Sequence, residues 1–468
     1  MVVANVANMT LLFADLLAAV ASALGAENIV RDPSITTAHA GDWSEAQKHT
    51  PSVVLFPRTP EQVATVLKLC NDAGQKIVVQ GGLTGLAGGA TPQGNEIALS
   101  LAKLDRIEVI DAVGGTATVE AGVVLEELQQ KVEEQGWYFP LDLGARGSCQ
   151  VGGNAAVNAG GNRVIRYGTM RDLVLGIEVA LPDGRLLTML NGMTKNTTGI
   201  DLKHLFIGSE GTLGIITRLV VKLFPRPQGA ATALCALASF DAAANLIRLS
   251  RAALPTLSAF EVMWSDFMAA AEMASDLRPA FGQAFPLYVL IECLGDDETT
   301  ERQALEQFLE RVLAAGEVED AIVAQSLDDA KGLWAYRESV GELLSRMKPH
   351  AAFDVSVPMA SMDRFVKAAR RMLDEAFPEQ RHLFFGHIGD GNLHVLSGPH
   401  AGDDLHRVEE LVYSAVRHAS GAISAEHGIG VIKKPFLDYS RSPEELGLMA
   451  DLKRLLDPNG ILNPGRIL

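Results

Sequence analysis

Apolar residues recur four apart from Leu12 through Leu16 and Val20 to Leu24, the period of a helix with one buried stripe. Asp15 interrupts this stretch and no basic residues precede it, so the pattern predicts an amphipathic lead-in helix rather than a cleaved signal. The period then changes. Val53–Phe56 is a short apolar run of strand type. Thr59-Pro60-Glu61-Gln62 combines a capping residue, a proline at the first helical position and a glutamine three residues on. Val63, Val66, Leu67 and Cys70 follow at helical spacing, Gly74 closes the helix, and Lys76–Gln80 reads as a β-branched strand. This first region is βαβ-like. Further strand-type runs cover Ala117–Ala121, Leu173–Ala180 and Ile215–Leu223.

Prolines at 225 and 227 punctuate the chain and mark a boundary. Beyond them the pattern predicts strands at Ala231–Ala236, Ser258–Val262, Leu287–Cys293, Glu319–Ala324 and Ala352–Val357. It predicts helices at Ala242–Ala253, Thr299–Ala314, Leu327–Arg346 as one long element, Met362–Ala376, Asp404–Ala419 and Leu446–Leu456. Strands and helices in this order describe a separate α+β domain with a largely antiparallel sheet. The expected division is a lead-in over 1–50, a ligand-binding domain over 51–227, a second domain over 228–440 and a C-terminal segment over 441–468.

Phe384–His394 carries the sharpest chemical signal. Asp390-Gly391 is a two-residue hairpin signal, because a type I′ turn needs positive φ at both central residues. Counting outward, His387 faces His394, and opposed residues share a face with Cβ atoms about 5 Å apart. That spacing suits two imidazoles on one divalent metal; two satisfied core histidines are the plainer alternative. Ser424–Gly430 adds Glu426 and His427. In an extended segment their side chains point to opposite sides. The simplest arrangement puts His387, His394 and Glu426 on the metal, with open positions, and leaves His427 as a base.

Three glycine clusters stand apart from the periodic segments. Gly81-Gly82-Leu83-Thr84-Gly85-Leu86-Ala87-Gly88-Gly89 follows the Lys76–Gln80 strand directly. Such a loop can turn backbone N–H groups toward a phosphate; a merely flexible loop is the plainer alternative. It matches neither G-x-G-x-x-G nor G-x-x-x-x-G-K-[ST], so a Rossmann or Walker site is not supported. Pro140–Gly161 and Gly208–Gly214 are the other two. One long ligand threaded across several loops, such as a dinucleotide, fits this demand.

Composition narrows the class. With 468 residues, two or three domains are expected; 48% hydrophobic and 21% charged residues suit a globular protein. The formal charge, 40 − 57 = −17, opposes nucleic-acid binding. Cys70, Cys149, Cys235 and Cys293 are dispersed, as in a reducing compartment, and cannot form a cysteine zinc site. No apolar run reaches transmembrane length. A cytoplasmic location is expected.

The glycine loop 81–89, Pro140–Gly161, Phe206–Thr217, Gly386–His394, Ala425–Gly430 and Asp457–Gly465 together resemble the FAD-linked D-2-hydroxyacid dehydrogenases of the vanillyl-alcohol oxidase/p-cresol methylhydroxylase flavin fold. Pro140–Gly144, Asp201–Phe206 and Ser258–Glu261 are most similar to members acting on D-2-hydroxyglutarate. The resemblance implies an α+β chain: a two-subdomain FAD-binding domain, a substrate or cap domain with an antiparallel sheet, and a C-terminal segment returning to the flavin. It implies FAD held by Gly81, Gly82, Thr84, Gly85 and Leu86. Pro140, Gly144, Gly147, Ser148, Gly152, Gly153, Asn154, Glu210, Gly214, Ile215 and Asn463 would complete the cofactor site. Gln80–Ala90 holds no histidine, so the flavin should be non-covalent.

Zinc or manganese would sit on His387, His394 and Glu426, His427 would act as base, and Arg337 would grip a substrate carboxylate. Electrons would pass to an external acceptor, an electron-transfer flavoprotein or a quinone, and a homodimer is an open assembly. Gly341, Ala352 and Leu396 stand where hydroxyglutarate-oxidising members carry threonine, lysine and asparagine, which keeps D-lactate open as a substrate. The rival readings are an oxygen-using oxidase, a group-transfer flavoenzyme and a non-catalytic FAD- and metal-binding subunit.

Overall fold

The computed structural model describes residues 2–468, with side chains from residue 13 onward. The chain forms two compact units. One contains the residues up to Gly160, Thr169–Pro225 and Glu426–Leu468; the other contains Gly161–Gly168 and Arg226–Ala425.

In the first unit the lead-in helix spans Val2–Leu24 and buries Leu16, Val20 and Leu24. Leu12, the remaining member of that stripe, lies outside the residues whose side chains are described. The helix Pro60–Ala73 starts where the capping signal predicts. Thr59 accepts the Gln62 N–H at 3.3 Å, while the Gln62 side chain accepts from Arg58 N–H at 2.7 Å instead of reaching back to Thr59. Gly74 ends the helix at φ 67°, a conformation that a side chain would disfavour. Val54–Leu55 and Ile77–Gln80 both pair parallel to Ile97–Ser100, so the helix crosses over with one strand position between its flanking strands. A second, antiparallel sheet runs in the order Ile107–Asp111, Thr116–Glu120, Ile215–Lys222, Val174–Ala180, Leu186–Met189.

The chain's end is tied into this unit. Ile77 N–H donates to Ile461 at 2.8 Å and Asn463 N–H donates back to Ile77 at 2.9 Å. Arg466 is fully buried and donates to Glu96, Thr91 and Pro464 oxygens, with one Glu96 contact at 2.8 Å.

The second unit is built on a seven-stranded antiparallel sheet. Its order is Asp320–Val323, Gly229–Leu237, Leu287–Gly295, Leu257–Trp264, Arg381–Gly386, Asn392–Gly398, Ala351–Ser356. The expected long helix over 327–346 is two helices, Leu327–Glu338 and Val340–Arg346. The Ser339 hydroxyl donates to Ala335 O one turn back at 2.7 Å, a bond that bends helices, and it also meets Ser275. A helix at Ser265–Ser275, missing from the pattern-based expectation, packs Phe267, Ala270, Ala271 and Ala274 into the core.

A buried polar chain crosses the Arg381–Gly386/Asn392–Gly398 pair. His382 Nε2 donates to Phe377 O at 3.2 Å, because a carbonyl can only accept. Its Nδ1 therefore accepts from Ser397 at 2.8 Å, and Ser397 accepts from His400 Nε2 at 2.7 Å. Burial holds both histidines below their ordinary pKa of about 6.5.

Two predictions follow from these buried groups. Glu96→Ala leaves the Arg466 charge buried and uncompensated, and should lower stability by about 3–5 kcal/mol in urea denaturation. The unfolded chain takes up protons on His382 and His400 more readily than the folded one. The stability that depends on keeping them neutral is complete above pH ~6.5 and is lost as pH falls below it. The melting temperature should drop from pH 7 to 5, and more gently in a His382→Gln/His400→Gln variant.

Candidate functional site

In the second unit the histidine hairpin forms, with a different turn. Phe385, not His387, lies opposite His394. Residues 387–391 make a five-residue loop closed by Asn392 N–H donating to His387 O at 3.2 Å, and of Asp390-Gly391 only Gly391 has positive φ. The register differs from the expected one by two residues. Because side chains alternate with period two, such a shift leaves His387 and His394 on one side. Their ring centroids are 5.3 Å apart at 72°, and both are buried. Gly386, at φ 155°, permits the departure: a Cβ there would meet Asn392 O at 2.8 Å and Leu393 Cα at 2.9 Å.

Arg337 reaches this face from the Leu327–Glu338 helix. Its Nε donates to Glu261 at 2.7 Å, its Nη2 lies 2.9 Å from His387 Nε2, and its guanidinium covers the Phe385 ring at 4.7 Å. Contact with Arg337 means that His387 presents the lone pair of Nε2, the form that binds metals. Glu261 Oε2 is 3.5 Å from the same nitrogen. Asp354, opposite His394 in the sheet, accepts from Asn392 Nδ2 at 2.7 Å and from Ala425 N–H at 3.1 Å. Burial, reinforced by the charges of Glu261 and Asp354, pushes the Asp390 carboxyl up to about 7. Two imidazoles among three carboxylates make a donor set suited to a divalent cation.

Glu261 and Asp354 were not among the expected site residues. Each is a lone carboxylate inside an apolar strand run, Phe260-Glu261-Val262 and Phe353-Asp354-Val355, and a buried acid in such a run is the signal that could have found them.

Glu426 and His427 begin the returning stretch of the first unit, directly after Ala425. The segment is bent rather than extended, and the Glu426 carboxylate lies 4.0 Å from His427 Nε2. The two side chains are therefore not thrown to opposite sides. His427 remains partly accessible.

The glycine clusters meet in the first unit. A Cβ on Gly82 would lie 2.0 Å from Ser148 O, and one on Gly152 would lie 2.4 Å from Ala121 Cβ, so both glycines allow close backbone packing. Gly144 and Gly153 face open space, and Gly147 approaches Glu126. Among the described residues, no protein group accepts from the N–H groups of Gly82 to Gly89, and Leu83 is held at φ 58°. Gln150 Oε1 and Asn154 Oδ1 are buried without a hydrogen-bond partner in the described chain, and the former is 3.4 Å from a Cβ built on Gly81. Free donors on one loop and orphaned acceptors beside it fit a large polar ligand such as FAD.

Thr84 is half-buried and Leu86 exposed; Pro140 and Ile215 are buried. Gly85 lies near Asp42, and Gly214 packs against Val179 and Phe206. Asn463 ties Val79 N–H, at 2.8 Å, to Glu210 O, at 2.6 Å. The Glu210 carboxylate accepts from Ile429 and Gly430 N–H groups at 2.6 and 2.8 Å.

Residues 51–190 match the FAD binding domain, and residues 226–467 match the C-terminal domain of FAD linked oxidases. The chain is 42% identical over 444 residues to the mitochondrial D-2-hydroxyglutarate dehydrogenase of Bos taurus, covering 94% of this chain and 81% of that protein. The chain belongs to the FAD-linked D-2-hydroxyacid dehydrogenase family. It is also 38% identical to the D-2-hydroxyglutarate dehydrogenase of Xanthomonas citri pv. viticola, with 95% of each chain covered. Among solved structures, p-cresol methylhydroxylase superposes with a TM-score of 0.79 at 17% identity, covering 97% of this chain and 96% of that one, which shows the shared fold. This family member is thus an FAD-dependent dehydrogenase of the expected α+β class. The bovine relative is mitochondrial by name, which overturns the cytoplasmic expectation; four free, buried cysteines do not distinguish one compartment from another.

Proposed function

We propose that this enzyme oxidises D-2-hydroxyglutarate or a related D-2-hydroxy acid to the 2-oxo acid, assisted by a divalent cation, with electrons leaving to an external carrier. The observation carrying this reading is the pair of facing imidazoles, His387 and His394, beside buried carboxylates in a chain 42% identical to a D-2-hydroxyglutarate dehydrogenase.

When bound, FAD supplies the two-electron acceptor and zinc or manganese a Lewis acid. His387 and His394 would hold the cation through ring nitrogens, and Glu426 would add a carboxylate. Gly81, Gly82, Thr84 and Gly85 would hold the FAD pyrophosphate through main-chain donors, non-covalently. Arg337 is oriented by Glu261 to meet a substrate carboxylate. Its Nη2 lies 2.9 Å from His387 Nε2, which places the guanidinium beside the imidazoles that would hold the cation. His427 takes the proton of the C2 hydroxyl on an imidazole nitrogen, a transfer suited to histidine near neutral pH.

A second reading concerns the substrate's side chain. Ala352 pairs with Leu396 on the face that carries Asp354 and His394, and Leu396 packs in the apolar cluster with Phe385 and Met347. Gly341 presents no side chain. None of the three positions can pair with a second carboxylate, and an unpaired buried charge costs several kcal/mol. This favours D-lactate or another monocarboxylate over D-2-hydroxyglutarate.

Anaerobic flavin spectroscopy with zinc or manganese and a panel of D- and L-2-hydroxy acids tests both readings. D-acids should bleach the band near 450 nm. Bleaching by D-lactate alone selects the second reading, bleaching chiefly by D-2-hydroxyglutarate selects the first, and no bleaching by any acid rejects dehydrogenation. His427→Ala should lower kcat by about 10²–10⁴-fold with FAD retained. His387→Ala should lose metal in equilibrium dialysis, and full turnover in verified metal-free enzyme would remove the cation from the reaction.

A further inference from the structure

Glu210 is expected from the sequence to touch the cofactor, but its carboxylate is engaged elsewhere. It lies in the Ser209-Glu210-Gly211 turn, buried and at φ 51°, a left-handed conformation that a non-glycine residue adopts only when its surroundings impose it. Its backbone is held on both sides: its N–H donates to Ala156 O at 2.8 Å, and its carbonyl accepts from Asn463 Nδ2 at 2.6 Å. The side chain then presents one oxygen to Ile429 N–H and the other to Gly430 N–H. Those amides lie two and three residues beyond His427.

The turn is shaped around this carboxylate. Gly428 has φ 79°, and a Cβ there would lie 2.9 Å from Glu210 Oε1. Gly430 has φ 53°, and a Cβ there would lie 2.0 Å from Ala87 O. Val431 and Ile432 N–H groups donate to that same Ala87 oxygen at 3.0 and 3.2 Å, and Ile467 N–H donates to Gly430 O at 3.1 Å. The residues after His427 thus have almost no freedom to turn, and Glu210 is the side chain around which they close.

We propose that Glu210 is a positioning residue: through the Ile429 and Gly430 amides it fixes the backbone from which the His427 imidazole projects. This rests on the reading of His427 as the base. A glutamine at 210 keeps the shape but offers one acceptor where two donors converge, and its NH₂ faces an N–H. The His427 ring then loses its fixed origin, and displacement of a reacting group by about 1 Å can cost roughly 100-fold in rate.

The test compares FAD-loaded wild type, Glu210→Gln, Glu210→Asp, His427→Ala and the Glu210→Gln/His427→Ala double variant. The substrate is whichever of D-2-hydroxyglutarate and D-lactate bleaches the flavin. The expected result for Glu210→Gln is amide exchange at Ile429 and Gly430 at least ~10-fold faster and kcat about 100-fold lower. KM should change less than about twofold, and flavin content should not change. Glu210→Asp, which keeps both acceptor oxygens, should recover part of the rate. The double variant should turn over no more slowly than His427→Ala alone, because Glu210 acts through that residue.

Unchanged kcat per bound flavin in Glu210→Gln overturns the proposal. So does loss of FAD with normal turnover of the loaded fraction, which would make Glu210 a cofactor contact, and so do losses that multiply in the double variant. If Glu210→Gln does not load FAD, Glu210→Asp carries the same comparison. Full turnover in His427→Ala would overturn the base reading itself, and that outcome is read in this variant alone.

Discussion

A backbone N–H in a buried turn needs an acceptor, and here two buried carboxylates meet that need around one short stretch. Asp354 accepts from Ala425 within the second unit, and Glu210 accepts from Ile429 and Gly430 within the first. Leaving such a donor unsatisfied costs about 1–3 kcal/mol, and an unpaired buried carboxylate costs more. Each acid and its amides are therefore held by mutual need. Glu426 and His427 lie between these two anchors in the chain, so the backbone on either side of them is tied to a buried acid. Rigid support of this kind keeps reacting groups in place.

Charge is arranged by the same logic. The chain is strongly acidic, and its acids enter the interior where partners await them. Glu178 takes the Arg218 fork at 2.9 and 2.7 Å, Glu96 takes Arg466, and Glu261 takes Arg337. Around His387 and His394 the balance differs, since Glu261, Asp354 and Asp390 gather there and Arg337 is engaged by Glu261. Burial and like charge there drive Asp390 toward its neutral form. A divalent cation would relieve that excess, and the imidazoles offer it ligands. The Gly82–Gly89 loop of the first unit shows the complementary condition, with free main-chain donors, no charged side chain and two orphaned acceptors nearby.

The elements with a strong period were legible. Pro60–Ala73 could be read from cap to terminal glycine, because capping residue, stripe and Gly74 all lie within one short stretch, Thr59 to Gly74. The histidine hairpin was legible in its consequence though not in its turn, since a two-residue slip preserves the face. The break at Ser339 was not, because nothing in the local pattern shows whether a serine will bond back to the preceding turn. The Ser265–Ser275 helix was missed because its buried face is mostly alanine, a weak apolar signal beside the strands on either side.

The sequence by itself determined the family, the α+β class, the flavin and the residues from which a reactive centre could be assembled. These depend on residue type, spacing and local period, and all are printed in the chain. Tertiary structure alone decided how those residues are used. Arg337 could be recognised as a cation, but only the fold shows it shared between Glu261 and His387. Glu210 could be recognised within a glycine cluster, but only the fold brings Ile429 and Gly430, over two hundred residues later, onto its two oxygens. The physical reason is that a buried polar atom is defined by its partner, and the partner is chosen by packing between segments remote in the chain.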